Sequence, residues 1–177
     1  MKYNVAILGA TGAVGQRFIE LLQGHPWFKI EVLAASERSA GKKYRDACRW
    51  ILKSRMPEEI GEMTVVNTDV KEVSKEGDVD LVFSALPGGI AGPIEEEFAR
   101  YYPLVSKARA HRYDEDVPLI VAEINPDHLK LIPIQKERRG YEGFISTDPN
   151  CSTIQLVLSL KPLETVSYTH LTLPTKA

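Results

Sequence analysis

Cysteine is scarce in this sequence, and its scarcity excludes two ways of stabilising a small fold. Only Cys48 and Cys151 occur among the 177 residues. Two cysteines so far apart are too few for a disulfide framework or a zinc cluster. We therefore expect no metal site, and each thiol is either a buried apolar side chain or a reactive group.

Long apolar runs and an excess of charge are missing as well. No stretch reaches membrane-spanning length, and the opening Met1-Lys2-Tyr3-Asn4 does not begin a signal peptide. The formal net charge of -2 lacks the basic excess that nucleic-acid binding usually needs. We therefore predict a globular, cytoplasmic protein whose partners include neither membrane nor nucleic acid.

Short apolar runs alternate with helical patterns along the chain. Strands are predicted over residues 5–8, 28–35, 63–66, 80–85, 104–106, 118–122 and 143–146, and helices over 14–22, 45–55, 95–102 and 154–160. Continuous apolar runs such as Val5-Ala6-Ile7-Leu8 are typical of strands buried on both faces. The alternation implies right-handed crossovers. We predict an α/β fold with a doubly wound, mostly parallel sheet of the Rossmann type.

The first strand is followed by a glycine-rich turn, Gly9-Ala10-Thr11-Gly12-Ala13-Val14-Gly15. Gly9 permits a tight turn, Gly12 lets the backbone approach a pyrophosphate, and Gly15 lets the next helix pack closely on the sheet. The helix start adds N–H donors and the positive end of a dipole. Since the spacing is G-x-x-G-x-x-G instead of G-x-G-x-x-G, a turn without a ligand is the alternative. The predicted dinucleotide site includes Gly9, Thr11, Gly12, Ala13, Val14 and Gly15.

Polar and basic residues follow the second strand, where NAD-specific proteins usually carry a carboxylate that binds the ribose. The sequence there is Ser36-Glu37-Arg38-Ser39, with Lys42 and Lys43 close behind. Hydroxyls and a guanidinium suit the 2′-phosphate of NADP. Glu37 could instead accept from a ribose hydroxyl, and an exposed polar loop is a further alternative. We predict NADP as the cofactor, with Ser36, Arg38 and Ser39 near its 2′-phosphate.

Cys151 occupies a position typical of a reactive thiol. It lies in the run Thr147-Asp148-Pro149-Asn150-Cys151-Ser152-Thr153, just before the apolar run 154–160. A helix N-terminus favours the thiolate, which is the nucleophile of acyl and carbonyl chemistry. Asn150 could donate to a developing oxyanion. Position alone leaves Cys151 either catalytic or structural, whereas Cys48, on a predicted amphipathic helix, fits a buried apolar side chain.

Seven blocks in the right order make the sequence resemble aspartate-semialdehyde dehydrogenase, of the branch typical of archaea, fungi and some bacteria. The resemblance runs from residue 3 to about residue 165. The blocks are residues 9–15, 34–42, 84–87, 110–112, 117–120, 123–128 and 150–153. Together they are far more specific than any one of them.

This resemblance implies an oxidoreductase that reduces L-aspartyl 4-phosphate with NADPH to aspartate 4-semialdehyde and phosphate. The step leads toward lysine, threonine, methionine and, in bacteria, diaminopimelate. Cys151 is expected to attack the acyl phosphate and to form a thioester that accepts a hydride. Arg112 is expected to bind the phosphate group, and Asn150 to contact the substrate. The residues expected to line the cofactor channel are Ser84, Ala85 and Pro87.

The sequence also departs from the family pattern. Family members usually have asparagine at position 107 and a small residue at position 109, where this chain has Lys107 and Arg109. Ala122 replaces a usual proline, and residues 100–103 lack a usual glycine. Because Lys107 and Arg109 flank the arginine expected to bind phosphate, they either alter substrate binding or face solvent.

A second domain is implied by the resemblance, with the catalytic histidine, the arginine for the substrate carboxylate and most of the subunit contact. Residues 1–150 are expected to form the NADP-binding domain, and residues 151–165 to begin the catalytic domain. Residues 166–177 do not resemble that domain and are expected to be a non-native tail. We expect a homodimer or homotetramer of the full-length enzyme, and no activity of this chain alone.

Three alternatives are left open by the sequence. N-acetyl-glutamyl-phosphate reductase shares the chemistry and the fold, although its cysteine motif usually reads Gly-Cys-Tyr. A malonyl-CoA reductase derived from the same branch is not separated by these residues. The chain could also be an NADP-binding module without catalysis, in which case dinucleotide binding should survive alkylation of Cys151.

Overall fold

A six-stranded sheet forms the centre of the molecule, in a computed structural model that describes the backbone of residues 1–171 and the side chains of residues 1–164. The strands are β1 (Tyr3–Leu8), β2 (Phe28–Ala35), β3 (Val65–Asn67), β4 (Leu81–Ser84), β5 (Pro103–Ser106) and β6 (Phe144–Thr147). All neighbouring pairs are parallel, in the order β3-β2-β1-β4-β5-β6. This is the strand order of the dinucleotide-binding Rossmann fold. The predicted fold class is confirmed.

Helices cover both faces of the sheet around β1 and β2, whereas every second residue of β4 and β5 is only partly buried. The helices are α1 (Ala13–Leu22), α2 (Tyr44–Ala47), α3 (Glu58–Glu62), α4 (Val70–Glu76), α5 (Ala91–Ala99), α6 (Leu131–Arg139) and α7 (Cys151–Leu171), with a 3-10 turn at Pro126–Lys130. Ala6 and Leu8 of β1 pack in one hydrophobic cluster, and Val5 and Ile7 pack in a second. Because side chains alternate along a strand, the continuous apolar run places residues in both clusters.

The helix predicted over residues 45–55 was wrong. Helix α2 ends at Ala47, and Cys48 already has extended backbone angles. The following segment is held by a tertiary contact: the side chain of Gln16 donates to the carbonyl of Arg49 at 3.0 Å and accepts from the amide of Ile51 at 2.8 Å. The carbonyl of Arg49 and the amide of Ile51 therefore form hydrogen bonds with a side chain of α1, and they do not form the backbone hydrogen bonds of a helix.

The strand predicted over residues 118–122 was also wrong. Only Leu119 of this segment pairs with β6, where it lies opposite Thr147. The two backbone hydrogen bonds of this pair join Thr147 to the neighbours of Leu119, Pro118 and Ile120. The chain then turns, because the side-chain oxygen of Asn125 accepts from the amide of Val121 at 2.8 Å. Pro118, which has no N–H, contributes only its carbonyl to the ladder.

Three helices were missed, namely α3, α4 and α6, and the last two carry sequence signals. Asp69 caps α4 by accepting from the amides of Lys71 and Glu72, as expected of aspartate at a helix start. Helix α6 ends at Gly140, whose φ of 66° lies in the left-handed region. The proline of α6, Pro133, lies in its first turn, where no intrahelical hydrogen bond is lost.

The end of the chain is described only in part. The tail expected at residues 166–177 lies outside the described side chains and, from residue 172, outside the described backbone. That expectation therefore stays a prediction. Over residues 1–171, no helix combines the length and the apolar character needed to cross a bilayer.

Candidate functional site

The glycine turn and Cys151 lie at the same edge of the sheet. The turn follows the carboxyl end of β1, and Cys151 follows the carboxyl end of β6 by three intervening residues, 148–150. Since every neighbouring pair of strands is parallel, all carboxyl ends meet at one edge. Strands β4 and β5 separate the two features, which corresponds to roughly 14 Å of sheet. A ligand lying along this edge, over the end of β4, can reach both.

Two of the three glycines in the turn are required by packing, and the third is not. Gly9 has a φ of +73°, and a Cβ there would lie 2.7 Å from the carbonyl oxygen of Ala85. A Cβ on Gly15 would lie 2.4 Å from the carbonyl oxygen of Gly9, so α1 could not pack against the turn. Gly12 is exposed, and its Cβ would meet only the Gly9 oxygen, at 3.4 Å. The space beside Gly12 is therefore open to a ligand.

Two buried side chains that the sequence analysis missed hold the turn in place. The hydroxyl of Tyr44 donates to the carbonyl of Ala10 at 2.7 Å, and the side chain of Gln16 donates to the carbonyl of Thr11 at 3.1 Å. Burial raises the pKa of Tyr44 well above its ordinary value, so the phenol stays a neutral donor. Gln16 had a detectable signal, because it is a polar residue on the buried face of an amphipathic helix.

A cleft of about 520 Å³ opens beside the glycine turn. Its lining residues come from the ends of β1, β2, β3 and β4 and from the region of α5: Gly9, Thr11, Gly12, Ala35, Ser36, Glu37, Arg38, Asn67, Thr68, Ala85, Leu86, Pro87, Ile90 and Ile94. Of the predicted cofactor residues, Ala85 and Pro87 thus line one wall, and Ser36 and Arg38 line another. Asn67 and Thr68 were missed, because nothing in the short strand β3 marked its end as part of a site.

A second cleft, of about 420 Å³, adjoins the first at Ser36 and Arg38. Ala13 and Ser39 line it, together with the cationic side chains Arg38, Lys42 and Arg49. Three cations and two serine hydroxyls around one concavity match the charge and hydrogen-bonding capacity of a phosphate group. Val14 lies at the exposed rim of the turn and lines neither cleft.

Ser84 lies below the cleft instead of on its wall. Its side chain is fully buried, and its hydroxyl donates to Glu95 Oε1 at 2.5 Å. The hydroxyl of Ser106 donates to the same oxygen at 2.6 Å. These bonds fasten β4 and β5 to α5, so Ser84 supports the cleft but does not face it. Glu95 was missed, although a carboxyl group on the apolar face of a helix is an unusual signal.

The second cysteine is unsuited to nucleophilic chemistry. Cys48 is half-buried in the wall of the second cleft, and its burial raises the pKa of the thiol, although the neighbouring hydroxyl of Tyr44 acts in the opposite direction. Raising the pKa keeps the thiol protonated at neutral pH. Its interpretation as a small apolar side chain therefore agrees with its surroundings, although it lies at the end of α2 and not within a longer helix.

Cys151 is the first residue of α7, and its side chain is exposed. The preceding Asn150 caps the helix, because its side-chain oxygen accepts from the amide of Thr153 at 2.9 Å and from the hydroxyl of Thr153 at 3.1 Å. This cap uses the acceptor of Asn150, whose amide donor takes no part in it. The thiol thus occupies the end of the helix dipole that favours an anion.

Arg112 approaches the segment that leads to Cys151. Its Nη2 atom donates to the carbonyl of Lys107 at 3.2 Å and lies 4.0 Å from Asp148 Oδ1. The Nζ atom of Lys107 contacts the other oxygen of Asp148. The aliphatic part of Arg109 instead lies against Gly88, where a Cβ would meet Arg109 Cγ at 3.2 Å. Lys107 therefore faces the site, and Arg109 packs beside the loop after β4.

The loop that carries Arg112 is anchored by His111. The Nδ1 atom of His111 lies 2.9 Å from Asp114 Oδ2, and its Nε2 atom lies 3.3 Å from the carbonyl of Gly92 in α5. Burial raises the pKa of Asp114, but hydrogen bonds with His111 and Arg139 outweigh this effect, and the net shift is downward. The imidazole is almost fully covered, which fixes the backbone next to Arg112. Within the described part of the chain, no group of three His, Cys, Asp or Glu side chains is arranged to hold a metal.

Comparison with known proteins shows which family this chain resembles. The family profile described as "Semialdehyde dehydrogenase, NAD binding domain" matches residues 4–132. The chain is 53% identical over 160 residues to an aspartate-semialdehyde dehydrogenase of Methanothermobacter thermautotrophicus, and the match covers 90% of this chain and 45% of that protein. It is 42% identical over 161 residues to the malonyl CoA reductase (NADP) of Metallosphaera sedula, with 90% of this chain and 44% of that protein covered.

A solved structure resembles most of this fold. The aspartate semialdehyde dehydrogenase of Candida albicans, crystallised with NADP, superposes with a TM-score of 0.82 at 41% identity. The match covers 92% of this chain and 47% of that protein. The chain thus spans about half the length of the relatives it matches. It belongs to the semialdehyde dehydrogenase family, of which it carries the NAD-binding domain.

Proposed function

We propose that this chain is the NADP-binding half of an aspartate-semialdehyde dehydrogenase. The complete enzyme reduces L-aspartyl 4-phosphate to aspartate 4-semialdehyde and releases phosphate, in the biosynthesis of lysine, threonine, methionine and diaminopimelate. One observation carries the proposal: Cys151 begins a helix at the edge of the sheet that also holds the glycine turn, with Arg112 close to the segment before it. A thiol nucleophile, an anion-binding arginine and a dinucleotide cleft are the parts that this reaction requires.

NADP fits the residues around the two clefts. Gly12 leaves room for a pyrophosphate next to the first turn of α1, whose amides point outward. Ser36, Arg38 and Ser39, supported by Lys42, would hold the 2′-phosphate that distinguishes NADP from NAD. When bound, NADPH supplies the hydride that reduces the acyl group. Ala85 and Pro87 would line the path of the dinucleotide toward Cys151.

Cys151 provides the covalent step. Its thiolate attacks the acyl carbon, a carbon–sulfur bond forms, and the bond from that carbon to the phosphate oxygen breaks. Arg112 binds the departing phosphate, whose charge a guanidinium can neutralise with two parallel hydrogen bonds. After reduction of the thioester, the sulfur leaves again as a thiolate and the aldehyde is released. The exposed amides at the start of α7 and the amide group of Asn150 would donate to the oxyanion.

The remaining functions belong to the half of the protein that this chain does not include. We assign residues 1–150 to the NADP-binding domain and residues 151–165 to the start of the catalytic domain, with residues 166–177 as a non-native tail. The missing half would contribute the acid–base histidine, the arginine for the substrate carboxylate and the contacts of a cytoplasmic homodimer or homotetramer. This chain alone should therefore bind NADP but show no turnover.

The complete gene product is the material for the test. We expect it to reduce NADP in the presence of aspartate semialdehyde and phosphate, and Cys151→Ala to abolish this activity while NADP binding is retained. Cys48→Ala is the matched control, because the raised pKa of this thiol keeps it protonated and unsuited to attack the acyl carbon. Equal activity of the Cys151→Ala variant would rule out the covalent mechanism.

Malonyl-CoA reduction is the second candidate, since a reductase with this activity is 42% identical to the chain. An assay in the reductive direction, with NADPH and either L-aspartyl 4-phosphate or malonyl-CoA, separates the two reactions. Turnover of malonyl-CoA but not of the acyl phosphate would identify malonyl-CoA as the substrate that forms the thioester with Cys151. Absence of both activities, with NADP binding intact, would favour a module that only binds the dinucleotide.

A further inference from the structure

Three charged side chains meet where the loop after β5 approaches the segment before Cys151. Lys107 Nζ contacts Asp148 Oδ2, and Arg112 Nη2 lies 4.0 Å from Asp148 Oδ1. The side chains of Arg112 and Asp148 are 20% and 15% exposed, whereas that of Lys107 is 41% exposed. A mostly buried carboxylate therefore lies between two cations, one of which borders the solvent.

The negative charge of Asp148 would weaken the binding of an anion by Arg112 unless a neighbouring cation balances it. A negative charge 4.0 Å from the guanidinium competes with an incoming phosphate for Arg112 and repels it. Yet Arg112 is not committed to Asp148: among the described residues, Arg112 Nε and Asp148 Oδ1 are both buried without a hydrogen-bond partner. The one hydrogen bond of the Arg112 side chain to the described residues goes to the carbonyl of Lys107, and this side chain is 20% exposed, so the guanidinium has further N–H groups that are not bonded to Asp148.

We propose that Lys107 is a positioning residue that keeps Arg112 available to the phosphate of the substrate. Its ammonium group neutralises Asp148, so that the three side chains together present a net positive charge. Its backbone carbonyl also accepts from Arg112 at 3.2 Å. The same residue therefore orients the guanidinium and ties its loop to the segment that ends at Cys151. This role depends on the proposed function, since the anion concerned is the phosphate of the acyl phosphate.

The test measures the affinity for inorganic phosphate in the complete enzyme, assayed with aspartate semialdehyde and NADP. In Lys107→Met the stem of the side chain remains and the charge is lost. We expect the KM for phosphate to rise about tenfold and kcat to change by less than about twofold. Asp148→Asn in the Lys107→Met background should restore most of the affinity, because no carboxylate is left to balance.

Lys29→Met is the matched control. Lys29 also forms an ion pair, with Glu31 at 2.6 Å, but it lies near the start of β2, away from the carboxyl edge. Its removal should leave the KM for phosphate unchanged, and the KM for NADP should be unchanged in every variant. A merely structural ion pair predicts something different: lower thermal stability and lower kcat in Lys107→Met, without a selective change in the KM for phosphate.

Two results would overturn the inference: an unchanged KM for phosphate in Lys107→Met, or no recovery in the double variant. If the parent enzyme has no activity with aspartate semialdehyde, the proposed function fails. A second measurement then tests whether Lys107 supports phosphate binding. Inorganic phosphate should then slow alkylation of Cys151 by iodoacetamide in a Cys48→Ala background, with about tenfold more phosphate needed in Lys107→Met. No protection, or equal protection in both variants, would contradict the role of Lys107.

Discussion

At the scale of single residues, the glycines of the first turn have different roles: some are required by packing, and another leaves space for a ligand. A methyl group on Gly15 would overlap the carbonyl oxygen of Gly9, whereas one on Gly12 would project into open space. We predict that Gly15→Ala lowers the free energy of unfolding by about 2–3 kcal/mol. Gly12→Ala should change it by less than about 0.5 kcal/mol but weaken NADP binding by about tenfold or more, since the methyl group occupies the space for the pyrophosphate.

Denaturant unfolding and a dinucleotide titration of the two variants check this pair. The wild-type chain is the reference for both measurements. A destabilised Gly12→Ala with normal affinity for NADP would show that the middle glycine serves the turn and not a ligand.

At the scale of secondary-structure elements, a network of ion pairs joins helix α6 to the loop after Arg112. Arg139 of α6 donates from Nε to Asp116 at 2.7 Å and from Nη2 to Asp114 at 2.9 Å. The hydrogen bond from Arg139 is the main reason that the pKa of Asp116 lies below its ordinary value, although burial opposes it. The charged carboxylate is therefore the form that stabilises the fold.

The sign of the resulting pH dependence follows from this lowered pKa. The contribution of Asp116 is fully present above the unfolded-state pKa of about 3.9 and is lost as the pH falls through the lower, folded value. We predict that the free energy of unfolding declines below about pH 4, and that Arg139→Met makes this decline shallower while costing about 3 kcal/mol at pH 7. Urea unfolding between pH 3 and pH 7 is the measurement, in which an unaltered slope would exclude the pair as its source.

The helices also show which local sequence signals are sufficient to predict where a helix begins or ends. Asp69 and Gly140 mark the ends of α4 and α6, and both helices could have been predicted from these caps. Residues 49–51, in contrast, have a helical composition but give their backbone bonds to Gln16, which is distant in the sequence. No local pattern reports such a contact, so the prediction of a helix there failed.

At the scale of the whole molecule, α7 carries a row of leucine side chains that the described residues 1–164 leave exposed. Leu156, Leu160 and Leu163 are spaced one helical turn apart and are all exposed. Since the chain spans about half the length of the relatives it matches, we propose that a further domain of the complete protein buries this row. Alone, the chain should self-associate through it.

Replacement of Leu156, Leu160 and Leu163 by glutamine should shift this chain toward monomer and reduce its binding of a hydrophobic dye, because less apolar surface is exposed. Sedimentation velocity measures the shift. Leu21→Gln, a change of an equally exposed leucine on α1, should have little effect. Persistent association of the triple variant would place the contact elsewhere on the molecule.

Local patterns in the chain were enough to predict most of the strands, the glycine turn, the basic residues after β2 and the position of Cys151. An apolar run, a turn and a helix start each depend on residues that are neighbours in the chain, so a single segment reports them. These features were sufficient for the fold class and for the family.

Which of these residues face the same space depends on the folded molecule. Folding places Ser84 in a buried bond with Glu95 instead of on the cleft wall, uses Gln16 and Tyr44 to hold the turn, and brings Lys107 to Asp148. Such contacts join a helix to a strand or a turn, or join the ends of two strands, and they form only when the helices pack on the parallel sheet. Burial and charge compensation are properties of the assembled fold, and therefore no segment of the sequence reports them alone.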